Sequence, residues 1–444
     1  MPKNEAGHIG SRAVRFLVHN YFAKEHGWLI KGLEPHGNQE NISEVHDVSI
    51  LQDKAPYLVE SLLEAHRSDR GLSMAEATAM IATLERLIFD EAVLLLEASY
   101  TLNSLSLDEA LNSTDLHEVM TSYLVLFEMG QRAVLDNKEL HQALKARAAV
   151  VSTNWPLLVE FEEDTFHNYM YSKQKANPFQ KPSLNFDDAV TIVQRLAHGY
   201  GKWQNIECQQ MKRELMDLEE VNGLIPIYKF YSQPESADYH FTETQEYLEK
   251  VGALHRTSRG DAYVRIANYM TGPSNCIASS SYYSVCCLNE CELLMNELES
   301  KILSPSATPE RLLSLAQNMS SATVDAPRRL SLVMEEKLKA IATRHGGAVP
   351  LHGRLFAQWM HHAFPRECPY PHITESQVLA PSHWQNGKAV VSAKKRTELA
   401  EAVPSAPLMD DMTTLSWSDE EMMVIEKPKT TNRHLAMLGR RRCR

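Results

Sequence analysis

A chain of 444 residues with 43% hydrophobic and 23% charged side chains has material for two or three domains or one large helical body. Its formal net charge of −12 argues against a dedicated nucleic-acid binder, because neutralising phosphates needs a basic surface. No segment approaches eighteen consecutive apolar residues and the N-terminus lacks an apolar run of signal-peptide length, so a cytoplasmic protein with no integral membrane segment is expected.

Residues 9 to 26 mix charged and apolar groups at helical spacing, with Val14, Phe16, Leu17, Tyr21 and Phe22 for a core and Gly27 as the stop. The loop to Asn41 anchors through Trp28 and Leu33. From Val48 to Asn103 two helices are predicted. The first runs through Leu51, Tyr57, Leu58, Leu62 and Leu63 to Gly71; the second opens on Ser73-Met74-Ala75-Glu76, a capping box. Met80 to Leu96 is apolar nearly all round and is expected to be deeply buried. Glu85, Asp90, Glu91 and Glu97 invite comparison with di-iron ligands, but such sites need paired Glu-x-x-His sets. The chain offers that spacing at Glu5/His8 and, with aspartate, at Asp164/His167, so a solvated acidic edge is expected. Helical patterns continue over Asp115 to Asn137, Lys138 to Val151 and Trp155 to Lys173, and Pro178 and Pro182 put a domain boundary near 174 to 184.

Asn185-Phe186-Asp187-Asp188 caps a helix running to His198, with Gly199 as its end, and a dipole cap explains the paired aspartates better than a prenyl-diphosphate site. Asn222-Gly223-Leu224-Ile225, followed by Phe230, resembles the centre of an EF-hand loop. With Gly223 sixth, Leu218 stands first, Glu220 third, Asn222 fifth and Lys229 twelfth. A leucine and a lysine replace the two essential carboxylates, so no calcium is expected. After a helix from Thr242 to Gly252, a helix is predicted from Ser281 to Ile302, with Cys287, Cys291, Leu294 and Leu298 on one face and Cys286 beside it. Buried cysteine packs as a small hydrophobe; the sharper reading makes Cys287 and Cys291 an i, i+4 thiolate pair for a soft metal. Seven cysteines, an odd number spread over a long chain, fit reduced thiols better than a disulfide framework. The sequons at Asn41, Asn112 and Asn318 then carry no weight.

Helices follow at Pro309 to Asn318 and Arg328 to His345, and then the stretch PLHGRLFAQWMHHAFPRECPYPH, residues 350 to 372, gathers His352, His361, His362, His372 and Cys368. A helix from His352 to Ala363 puts Leu355, Phe356, Trp359 and Ala363 on one face with His352, His362 at its border and His361 opposite. Pro365 stops it, and a proline-locked loop presents Cys368. The plain reading is a core helix with one satisfied histidine and a proline-rich cap. The sharper one is a zinc or copper site drawn from His352, His362, Cys368, His372, Cys287 and Cys291. It requires Cys368 to lie near His352 or His372 and near one of Cys276, Cys286, Cys287 or Cys291. Residues 374 to 444 read as a largely disordered tail with short helices near 393 to 402 and 418 to 425.

The central stretch, with Ser-Asn-Cys at 274 to 276 and Cys-Cys-Leu-Asn-Glu-Cys at 286 to 291, resembles an uncharacterised family of microalgal proteins over most of residues 10 to 372, and that resemblance implies no activity. Residues 48 to 100, ending in Ile88-Phe89-Asp90-Glu91 and Tyr100, look like the last helices of sensor globins. No Rossmann glycine pattern, P-loop, nucleophile elbow, H-E-x-x-H or kinase signature is present. The expectation is a mainly α multi-helix body with an N-terminal region (1 to 175), a second helical region (176 to 373) and the tail. Two functions compete: a zinc or copper metalloprotein, with oxidoreductase chemistry open to it, and a helical interaction or regulatory protein with a lapsed EF-hand and an unknown protein partner. A haem-based sensor stands third.

Overall fold

The computed structural model describes residues 3–33, 48–60, 70–130, 135, 137–151, 154–173, 183–234, 237, 239, 241–257, 260–277, 279–372, 389–402 and 417–423. The fold is mainly α, as the periodicity predicts. The first core is built from α1 (Ser11–His26), α2 (Ser49–Lys54), α3 (Met74–Leu102), α4 (Ser113–Met129), α5 (Lys138–Val151), α6 (Trp155–Lys173) and the first half of α7 (Phe186–Leu218). Local signals set the ends. Gly27 closes α1 at φ +67°, and Ser73 with Glu76, like Asn185 with Asp188, forms a reciprocal capping box. On α3 the burial follows one face, Met80, Leu84, Ile88, Ala92 and Leu96, while Leu94 is 52% exposed. This corrects the expectation of burial all round: the apolar surplus is left towards solvent.

Helix α7 does not end at Gly199 but runs through it and Gly201 to Leu218. The glycines serve close approach. A Cβ at Gly199 would press on the Phe161 ring at 3.2 Å, and one at Gly201 would collide with the His26 carbonyl where α1 turns. The second half of α7 carries Cys208 and Leu215 into another core, shared with a three-stranded antiparallel sheet. Its strands are β2 (Leu224–Pro226), β3 (Leu254–Arg256) and β4 (Ala262–Arg265), in the order β2-β4-β3, and the short helices α8 (Ile227–Phe230), α9 (Gln245–Lys250) and α10 (Ile266–Met270) flank them. Strand β1 (Trp28–Ile30) pairs with β5 (Tyr283–Val285), Leu29 opposite Ser284, stitching the first core to a distant part of the chain.

The last core packs α11 (Glu290–Ile302), α12 (Pro309–Gln317), α13 (Leu332–Arg344) and α14 (Arg354–Ala363), with the two-residue strands β6 (Ser306–Ala307) and β7 (Val349–Pro350) paired beside them. Leu355, Phe356, Trp359 and Ala363 lie at 0 to 3% exposure, and Trp359 Nε1 donates to the Met334 carbonyl at 2.9 Å. A further helix, α15 (Ala393–Glu401), follows Ser392, which caps it. The other helix expected in the tail does not form over its described part: residues 418 to 422 have no regular secondary structure and Met423 makes an isolated bridge. Tail residues 374–388, 403–416 and 424–444 fall outside the described set.

The cysteines correct two expectations. Tyr283 to Val285 is strand, so Cys286 and Cys287 precede α11 instead of riding on it. Asn289 caps that helix, accepting from the Cys291 N–H at 3.1 Å. The six cysteines among the described residues are not reduced thiols. Cys208 is bonded to Cys287, Cys276 to Cys286 and Cys291 to Cys368, with Cα separations of 5.7, 4.1 and 4.6 Å.

Candidate functional site

The six side chains read as metal ligands do not share a centre. Cys368 meets Cys291, but as a covalent partner, and Cys287 is spent on Cys208. His352 lies one residue ahead of the α14 cap, its Nε2 2.9 Å from Glu299 Oε1 and its ring edge-on to Phe16 at 4.9 Å. His362 stacks on Trp417 at 6.3 Å, and His372 Nε2 donates to the Lys250 carbonyl at 2.8 Å. Among the described residues no three His, Cys, Asp or Glu side chains converge as a metal-binding group. A zinc or copper centre on these positions would need thiolates that are here held as disulfides.

What the 350 to 372 stretch builds is a junction. After α14 the chain folds back, and the residues of the proline-rich loop each grip a different element. Cys368 is bonded to α11, and Arg366 forms a two-pronged pair with Glu219 at the end of α7. Glu367 accepts from Ser321 Oγ at 2.6 Å and Thr323 Oγ1 at 2.5 Å. The Asn268 side-chain amide takes both backbone groups of Tyr370, accepting from its N–H at 2.7 Å and donating to its carbonyl at 2.8 Å. The Arg265 guanidinium covers the Tyr370 ring at 4.4 Å. His361, which the helical wheel turned away from the core, is buried because this loop returns over it. Its Nδ1 lies 2.7 Å from the Cys368 carbonyl, an acceptor only, so Nδ1 carries the proton. Burial, then the neighbouring His362, pushes its pKa down to about 3.

The EF-hand-like loop is tied into the same junction. Gly223 takes φ +75°, and Ile225 pairs with Val264 across the β2–β4 ladder. Its carboxylates already have cations: Glu219 is held by Arg366 and accepts from the Gly223 N–H at 3.1 Å, while Glu220 Oε1 lies 3.2 Å from Lys229 Nζ. A calcium ion would have to displace an arginine and a lysine without gaining the twelfth-position carboxylate. Titration calorimetry with calcium should therefore show no micromolar site. A site that vanishes on Asn222→Ala is the result that overturns this.

Beside the junction lies a groove that the sequence did not announce. Residues 417 to 423, Trp-Ser-Asp-Glu-Glu-Met-Met, cross the start of α14 without a helix of their own. Gln358, fully buried on α14, treats Ser418 as Asn268 treats Tyr370: its Oε1 accepts from the Ser418 N–H and its Nε2 donates to the Ser418 carbonyl, both at 2.9 Å. Arg354 Nη1 donates to Ser418 Oγ and to the Glu420 carbonyl, each at 3.0 Å. Glu421 supplies the cap that Gly353 cannot, accepting from the Leu355 N–H at 3.2 Å, and its other oxygen lies 2.6 Å from His345 Nε2. The carboxylate thus sits at the positive end of the helix. Trp417 lies between the His362 ring and Lys337, whose Nζ is 4.6 Å from the ring centre. The Arg354 N–H donates to the Met422 carbonyl at 2.9 Å, and Gly353 pairs with Met423 as an antiparallel bridge. In sequence, Ser418 followed by Asp419, Glu420 and Glu421 resembles a helix start. Set against known protein families, curated proteins and solved structures, the chain matches none.

Proposed function

We propose that the chain is a helical interaction protein whose α13–α14 surface captures an extended acidic segment led by tryptophan, and that residues 417 to 423 fill this surface in the free chain. One observation carries the reading: a buried glutamine presents its amide to both backbone groups of Ser418 while Glu421 caps α14. Backbone pairing of this kind recognises extended chain whatever its side chains, and the pockets at its ends supply the selectivity. Here the selective contacts are an aromatic slot formed by His362 and Lys337 and an acid slot formed by the α14 N-terminus, His345 and Arg354. A buried amide without its partners costs about 1 to 3 kcal/mol, so Gln358 favours an occupied groove.

The test uses a labelled peptide with the sequence of residues 415 to 424 and fluorescence anisotropy. Full-length protein should bind it weakly, because its own segment competes. The Trp417→Ala/Glu421→Ala double variant, with a weakened internal segment, should bind it at least ten-fold more tightly, and adding Gln358→Ala should abolish that gain. Equal, negligible binding by all three proteins would remove the proposal.

A further inference from the structure

We propose that this chain matures in an oxidising compartment and carries N-linked glycans on the sequons at Asn112 and Asn318. Two independent features point the same way. The first is the use of cysteine. Six of the seven cysteines are paired, and two of the three bonds join residues 79 and 77 positions apart. The seventh, Cys443, lies outside the described residues. Structural disulfides that clamp separate elements persist where thiol pools do not reduce them, in secretory and extracellular spaces. The adjacent Cys286 and Cys287 bond to different partners, Cys276 and Cys208. Each bond forms by loss of two protons and two electrons from a thiol pair, passed to a disulfide-bearing oxidoreductase of that compartment.

The second feature is where the sequons stand. Asn112 and Asn318 are both exposed, one at the N-cap of α4 and one just past the end of α12. Neither sequon has proline in its middle position: the residues are Ser113 and Met319. Each asparagine keeps its fold contacts with one Nδ2 hydrogen. Asn112 Nδ2 donates to Asp115 Oδ2 at 2.7 Å, and Asn318 Nδ2 donates to the Ser314 carbonyl at 2.8 Å. The N-cap bonds of α4 use the other end of Asn112, whose Oδ1 accepts from the Thr114 and Asp115 N–H groups. In the transfer, Nδ2 forms a bond to the anomeric carbon of a polyprenyl-diphosphate-linked oligosaccharide. The sugar carbon–oxygen bond to phosphate breaks, the polyprenyl diphosphate leaves, and one amide proton is released. The remaining N–H still serves Asp115 or Ser314, and a bulky polar substituent points to water. The third sequon, Asn41, lies outside the described residues.

The experiment takes the protein from its own cells, lysed into an alkylating reagent, and reads peptides by mass spectrometry before and after reduction and before and after peptide-N-glycosidase treatment in heavy-oxygen water. The expected result is that Cys208, Cys276, Cys286, Cys287, Cys291 and Cys368 alkylate only after reduction, and that Asn112, Asn318 or both become heavy-labelled aspartate only after the enzyme. Alkylation of these cysteines without reduction overturns the proposal, and so does unmodified asparagine at both sequons.

Discussion

Replacing Cys291 and Cys368 together by alanine should lower stability by about 4 to 5 kcal/mol, the cost expected when a loop of this length is no longer closed in the unfolded chain. The residues lie 77 positions apart, and the bond joins α11 to the junction loop beside the buried face of α14. Without it the unfolded ensemble gains freedom, while the folded chain must hold the loop by non-covalent contacts, among them those of Arg366, Glu367, Asn268 and His361. Removing Cys208 with Cys287, 79 positions apart, should cost about as much, whereas removing Cys276 with Cys286, 10 apart, should cost nearer 3 kcal/mol. Urea unfolding of the three double variants under oxidising conditions gives the ranking. A smaller loss for the Cys291/Cys368 pair than for the Cys276/Cys286 pair would show that chain closure is not what these bonds contribute.

The second large effect is an acid weakness carried by His361. Its pKa in the fold is about 3, against 6.5 for an exposed histidine, so between those values the unfolded chain binds a proton that the folded chain refuses. Stability is therefore whole above about pH 6.5 and drains away as the pH falls towards 3. At about 1.4 kcal/mol per unit, the loss reaches roughly 3 kcal/mol by pH 4.5. His255, held down to about 4 by burial and then by Arg265, adds in the same direction. His361→Gln keeps an amide donor for the Cys368 carbonyl and has nothing to titrate. It should lose about 3 kcal/mol less than the parent protein between pH 7 and pH 4.5 when urea midpoints are compared. Identical losses in both proteins would mean that His361 charges freely in the fold.

Helices were legible wherever the information is local. Gly27, the Ser73 and Asn185 capping boxes and the α14 apolar face all act within one or two turns, and each appears where the sequence puts it. Gly199 misled because its role is set by Phe161, which belongs to another helix, and nothing near residue 199 announces that crossing. The same limit governs the cysteines. The CC run and Cys368 were recognisable as residues that belong together, but composition does not distinguish two sulfurs that share a metal from two that share a bond. His361 was placed towards solvent because a helical wheel knows nothing of a loop that folds back seven residues later. The groove was invisible for a further reason: its occupant is held mostly through backbone groups, and backbone has no letter in the sequence.

Tyr370 links two of these features. Its backbone is gripped by Asn268, and its hydroxyl donates to Gln358 Oε1 at 2.8 Å, the same oxygen that accepts from the Ser418 N–H. One acceptor thus serves both the loop and the segment. If the segment left, as the proposed function requires, Gln358 Oε1 would keep only the tyrosine and Nε2 would lose the Ser418 carbonyl. Under the proposed function, displacing the segment would therefore alter the hydrogen bonding of the loop that ties α7, α10 and α11 together.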